Sequence, residues 1–170
     1  MIILDACILI SFGNAGYLHL IDELQHDSVC VSARARLEVI RDPARSAMDA
    51  SIGAGRLSVT SIDLYDAAEQ SALQQYDARA AFRGRGDAEV LALATARGFT
   101  VASDELAIRK VVISQLGPAR IAGTADLVVW AVREGRISLD LGEDALKGLD
   151  SGAAVLAELQ RRGETLKDLV

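Results

Sequence analysis

Short runs of aliphatic and β-branched residues recur along this chain, each followed by a segment of helical character, and that alternation constrains the fold more than any other feature. The runs at 2–4, 29–31, 57–60 and 99–103 read as strands, with a shorter one at 120–122. Between them the spacing predicts a helix over 9–24 broken in two near Gly13 and Gly16, and a helix over 33–50 capped by Ser32. A further helix is expected over 63–80, capped by Ser61 or Asp63, and another over 87–97, ended by Gly98. One more runs to about Leu116 before Gly117 and Pro118 break it, and Thr124 caps the helix that carries Trp130. Parallel neighbours in a sheet need helical crossovers, so strand-then-helix repetition predicts an α/β three-layer sandwich with a central, mostly parallel sheet flanked by helices.

The 170 residues suffice for one core, and with 51% hydrophobic but only 4% aromatic residues that core must be aliphatic. The main unit is expected over 1–137, with 138–170 as a helical extension of two short helices packed on the same domain. No apolar run reaches the ~18 residues of a membrane span, and no basic segment precedes the first strand, so a cytoplasmic protein is expected. Cys7 and Cys30 sit in apolar surroundings without a CxxC pair or Cys/His cluster, and both read as reduced core residues. His19 and His26, the two histidines, read as surface or core residues without a catalytic task.

A net charge of −6 taken alone opposes a nucleic-acid partner. Half of that excess lies in 138–170, where seven acids face four bases. Arginines crowd two other stretches: Arg34, Arg36, Arg41 and Arg45 surround Glu38, and Arg79, Arg83 and Arg85 precede Asp87.

Those two acids belong to a set of four. Ligand sites in open α/β sheets lie at the carboxyl ends of strands. Asp5 and Asp104 each follow a strand run directly, Asp87 opens a helix whose preceding loop returns to the same rim, and Glu38 stands about two turns into its helix. Each has a plain structural reading: a turn residue for Asp5, a solvated charge for Glu38, a helix-dipole partner for Asp87, an N-cap for Asp104. Together they would bring four like charges into one pocket, which is costly without a bound cation. Carboxylate oxygens suit Mg²⁺ or Mn²⁺, and the lack of convergent His or Cys argues against zinc.

The same residues resemble the PIN-domain family, and in particular its VapC-like toxin ribonucleases. The opening Ile2-Ile3-Leu4-Asp5-Ala6-Cys7-Ile8-Leu9-Ile10 is similar to the family's hydrophobic strand, aspartate and following Leu-Ile pair. Glu38 in Ala35-Arg36-Leu37-Glu38-Val39-Ile40 matches its helical glutamate. Gly86-Asp87-Ala88-Glu89 heads an alanine-rich helix, and Val101-Ala102-Ser103-Asp104 supplies the last acid after a serine. The resemblance runs from Met1 to about Ile137. It departs at Cys7, where many members have Ser, Thr or Asn, and Glu89 stands close enough to Asp87 to share its role.

The resemblance implies a Mg²⁺- or Mn²⁺-dependent endoribonuclease acting on single-stranded RNA and leaving a 5′-phosphate. Asp5, Asp87 and Asp104 would hold the metal, Glu38 would coordinate directly or through water, and Ser103 and Glu89 would support them. Arg34, Arg36, Arg83, Arg85 and Arg109 are the candidate phosphate contacts, because a guanidinium fork pairs two phosphate oxygens. An antitoxin protein and a homodimer are the partners that the resemblance implies. Two other function classes stay open: a PIN-like binding or regulatory module with little catalysis, suggested by Cys7 and the acidic balance, and a phosphotransfer protein with a nucleophilic aspartate. The latter lacks a second acid two residues after Asp5, and no GxGxxG or GxxxxGK supports a nucleotide-binding fold.

Overall fold

The computed structural model of the chain describes residues 1–24 and 29–170. Its strands are β1 (Ile2–Leu4), β2 (Val29–Ser32), β3 (Ser58–Thr60), β4 (Thr100–Ala102) and β5 (Ile121–Ala122). Its helices are α1 (Ala6–Ala15), α2 (His19–Asp22), α3 (Ala33–Glu38), α4 (Ala44–Gly53), α5 (Ala67–Asp77), α6 (Gly86–Arg97), α7 (Leu106–Gln115), α8 (Thr124–Arg133), α9 (Leu139–Gly148) and α10 (Asp150–Arg162). The five strands form one sheet in the order β3-β2-β1-β4-β5, and every pairing is parallel. This is the expected α/β three-layer architecture, with α6 lying on β1, β2 and β4 beside α5, and α1 packed with α4 and α8.

β1 occupies the centre, in register with Val29–Val31 on one side and Thr100–Ala102 on the other. Ile2, Ile3 and Leu4 are fully buried, so both faces of this strand lie under helices. Each such side chain contributes roughly 1.5–3 kcal/mol by leaving water, and a short run of three unbroken aliphatics is what a strand covered on both faces requires. From β1 the chain steps outward to β2 and β3, then crosses back to set β4 on the other side of β1. The order of strands therefore reverses between β1 and β4. At that switch point the Asp5 amide donates to the Ala102 carbonyl at 3.0 Å, and the Ser103 amide donates to the Ala122 carbonyl at 2.9 Å.

Several helix boundaries differ from the sequence expectation, each for an identifiable reason. α1 begins at Ala6 rather than residue 9, because the Asp5 carboxylate caps it by accepting the Ala6 amide at 2.7 Å. The single helix expected over 33–50 is two helices: Pro43 disfavours helical backbone at Asp42, the Asp42–Pro43 bond is cis, and α4 restarts at Ala44. α5 starts at Ala67 rather than 63, since Asp66 accepts the amides of both Ala68 and Glu69 while Asp63 closes a turn through the Tyr65 amide. Thr124 is the first residue of α8, and Gly123 takes the cap position. α6 ends as expected at Gly98, which adopts the left-handed conformation at φ 72°.

Two features tie the layers together around the site. A Cβ on Gly86 would lie 2.6 Å from the Ala35 Cα, so glycine at that position lets the head of α6 rest directly on α3. At the other end of α6, Arg97 donates to both oxygens of buried Glu69 at 2.6 and 2.9 Å, to the Thr60 hydroxyl at the end of β3 and to the Ser61 carbonyl just after it. The last helices join the same core through Leu146, Leu149 and Leu166. A Cβ on Gly148 would meet the Tyr17 ring at 2.9 Å, which shows how closely the turn between α9 and α10 approaches the end of α1. No described helix is long and apolar enough to cross a membrane.

Candidate metal centre

The switch point collects acids because two strand ends and two helix starts meet there. Asp5 leaves β1 with extended backbone (φ −75°, ψ 155°) and is 2% exposed. Its Oδ1 takes the Ala6 amide, and its Oδ2 accepts the Ser103 hydroxyl at 2.7 Å and the Cys7 thiol at 3.1 Å. Ser103, at the end of β4, also accepts the Glu105 amide at 3.1 Å. One buried hydroxyl thus fixes the first carboxylate and the turn that leads into α7.

Asp87 enters from α6, with 3% of its surface exposed. Its Oδ2 is buried and has no hydrogen-bond partner among the described residues; the nearest cation, Arg85 Nη1, lies 3.9 Å away. Burial pushes this carboxyl up to about 7, the charges of Asp5, Glu105 and Glu38 push the same way, and Arg85 opposes them. A buried acceptor without a donor, hemmed by further acids, is the condition that a cation relieves.

One carboxylate oxygen each from Asp5, Asp87 and Glu105 lie within 4.8 Å of one another. Glu105 is the residue that the sequence reading missed. Asp104 and Glu105 are adjacent acids after the same strand, and the backbone at Glu105 is extended (φ −71°, ψ 121°). Successive side chains on extended backbone point to opposite sides. Asp104 turns toward α8, where its Oδ1 accepts the Thr124 amide at 2.9 Å, and Glu105 faces Asp5 and Asp87. The paired acids were the visible signal, and nothing in composition distinguishes which of them faces Asp5 and Asp87; Glu105 does so from an exposed position.

The other expected site residues fall around this trio. Glu38 accepts the Gly86 amide at 2.7 Å through Oε1, which anchors the residue preceding Asp87. Glu89 is buried and faces the opposite way, accepting the Arg34 amide at 2.7 Å and the Ile62 amide at 3.5 Å. Among the arginines, Arg85 is 61% exposed beside Asp87, Arg109 donates to the Ser103 carbonyl at 3.1 Å, and Arg83 is exposed. Arg34 pairs with Asp77 at 3.4 Å and Arg36 with Asp49 at 3.1 Å.

Cys7 corrects one expectation. It is half-buried at the centre rather than a core residue, and burial together with Asp5 pushes its thiol up to about 12, so it serves Asp5 as a neutral donor. Cys30 is buried in the core as expected. His19 is exposed beside the Tyr17 ring, and His26 lies outside the described residues.

The family model described as "DUF3368: PIN domain" matches residues 1–154. The chain belongs to the PIN-domain family. PIN domains are generally nucleases that use divalent metals, so the chain carries a nuclease-type fold whose acidic trio could bind such an ion. The match to the PIN domain runs past Ile137 into α10. No curated protein and no solved structure gives a match to the chain.

Proposed function

We propose that this PIN domain is a Mg²⁺- or Mn²⁺-dependent endoribonuclease that hydrolyses single-stranded RNA and leaves a 5′-phosphate. The observation that carries the reading is the orphaned, buried Asp87 Oδ2 within a convergent set of carboxylate oxygens from Asp5, Asp87 and Glu105. The donor set is all oxygen, which suits a hard cation. A divalent ion held by these three would supply Lewis-acid stabilisation of phosphoryl charge and lower the pKa of a bound water.

The protein's own groups do the positioning. Ser103, Cys7 and the Ala6 amide hold the Asp5 carboxylate in one orientation, and Glu38 fixes the head of α6 through the Gly86 amide. Glu38 and Asp104 take supporting places in this proposal, Glu38 through its charge near Asp87 and Asp104 at the edge of the approach. Arg85 is the foremost phosphate contact, with Arg83 and Arg109 beside it; Arg34 and Arg36 are already engaged with acids. The VapC-like resemblance of the four motifs further supports the toxin of a toxin–antitoxin pair, cytoplasmic and homodimeric, with 138–170 as an accessory extension of the PIN unit.

Cleavage of a labelled single-stranded RNA tests this. Wild type should cut with added Mn²⁺, stop in EDTA and leave 5′-phosphate ends, and Asp5→Asn and Glu105→Gln should each lose on the order of 10²-fold or more. Activity that survives both EDTA and Asp5→Asn would overturn the reading.

A further inference from the structure

A groove of about 580 Å³ opens beside the acidic trio, between α1 and the turn joining α9 to α10. That volume lies within the range of ~300–1,000 Å³ typical of sites that take a small organic group. Cys7 and Asp104 line the end nearest the metal centre. Farther along, Ser11 and Asn14 project from α1 and Ser151 comes from the start of α10, with Ile10, 37% exposed, as apolar surface between them. Asn14 is exposed and Ser11 half-buried on this face, and the buried Ser151 Oγ has no hydrogen-bond partner among the described residues.

We propose that this groove seats an unstacked base of the RNA next to the scissile phosphate, and that Asn14 determines which base is preferred. The proposal rests on the nuclease reading above. The chemistry of the lining decides between base and phosphate. None of its described lining residues is a cation and one is the acid Asp104, so a phosphate would be repelled there, whereas uncharged donors and acceptors beside an aliphatic surface suit a heterocycle. Proteins that read single-stranded RNA splay its bases out, commonly stack them on aromatic or guanidinium planes and hydrogen-bond their edges; this groove supplies the edge contacts, with the aliphatic surface of Ile10 and Ala15 beneath them. The Asn14 amide offers a donor and an acceptor side by side, which matches the paired groups of a base edge. The phosphate charge is met elsewhere, by Arg85 at 61% exposure and by the cation the trio would hold. The α9–α10 turn makes one wall, so the C-terminal helices take part in substrate selection.

Binding of fluorescent single-stranded oligonucleotides that differ in one central base tests this without requiring cleavage. Wild type, Asn14→Ala, Ser11→Ala and Arg85→Ala are compared in Mg²⁺ by anisotropy across salt. Wild type should prefer one base by about 10-fold, and Asn14→Ala should level that preference while keeping its salt slope. Ser11→Ala should weaken the preference partly, and Arg85→Ala should keep the preference while lowering the slope by about 0.7. A wild type with no base preference, or an Asn14→Ala variant that keeps it, overturns the proposal, and a groove that instead takes a partner peptide would give that result. Base-selective binding without metal-dependent cleavage would leave the groove assigned and overturn the nuclease reading instead.

Discussion

Replacing Asp87 by asparagine should make the metal-free protein more stable, although Asp87 lies at the heart of the site. The substitution keeps the size of the side chain and removes its charge. In the folded chain this carboxyl titrates at about 7 against an ordinary value of 3.8, and a difference of about 3 units at ~1.4 kcal/mol each sets an upper bound near 4 kcal/mol. The amide that replaces it is itself desolvated, so about half of that bound, roughly 2 kcal/mol, should be recovered. For a domain of this size that is about 4–8 °C in Tm. The sign follows from linkage: a folded pKa above the unfolded one costs stability as pH rises. Wild type should therefore weaken relative to Asp87→Asn between about pH 4 and pH 7, with the gap constant above that. Thermal denaturation in EDTA at pH 5 and pH 8 measures it. Saturating Mn²⁺ should reverse the order at pH 8, since a ligand at 1,000 times its Kd adds about 4 kcal/mol to the form that binds it. Equal stabilities at pH 8 in EDTA, or an equal Mn²⁺ response in both proteins, would refute the reasoning.

Two other substitutions separate scaffold from site. Glu89→Gln should lower stability by about 1–3 kcal/mol, because its oxygens receive two backbone amides, yet leave the Mn²⁺-induced rise in Tm intact. Tyr76→Phe should cost about 1 kcal/mol in chemical denaturation with cleavage unchanged, since its hydroxyl bonds Thr95 and Gln115 at 2.9 Å, remote from the acids.

The sheet was legible because its physics is local. Three unbroken aliphatics at 2–4, two of them β-branched, read as a strand covered on both faces, and the glycine at 98 marks a helix end by its own backbone freedom. The convergence of Asp5 and Asp87 was legible for the same reason, as they sit where strand ends and helix starts meet. What escaped were choices made by long-range contacts. Whether Asp104 or Glu105 faces Asp5 and Asp87 depends on the Thr124 amide, twenty residues away, that captures Asp104. Glu89 reads from sequence as a neighbour of Asp87, but two residues along a helix face different directions, and the Arg34 amide holds it on the other side. Cys7 read as core because its neighbours are apolar; only the fold brings Ser103 and Asp5 to it.

The most direct measurement is a crystal soaked in Mn²⁺ and recorded at the manganese absorption edge. The account predicts one strong anomalous peak bonded to carboxylate oxygens of Asp5, Asp87 and Glu105, lost in Asp5→Asn. A peak coordinated by Asp104 with Glu105 turned to solvent, or no peak at the trio, would contradict it.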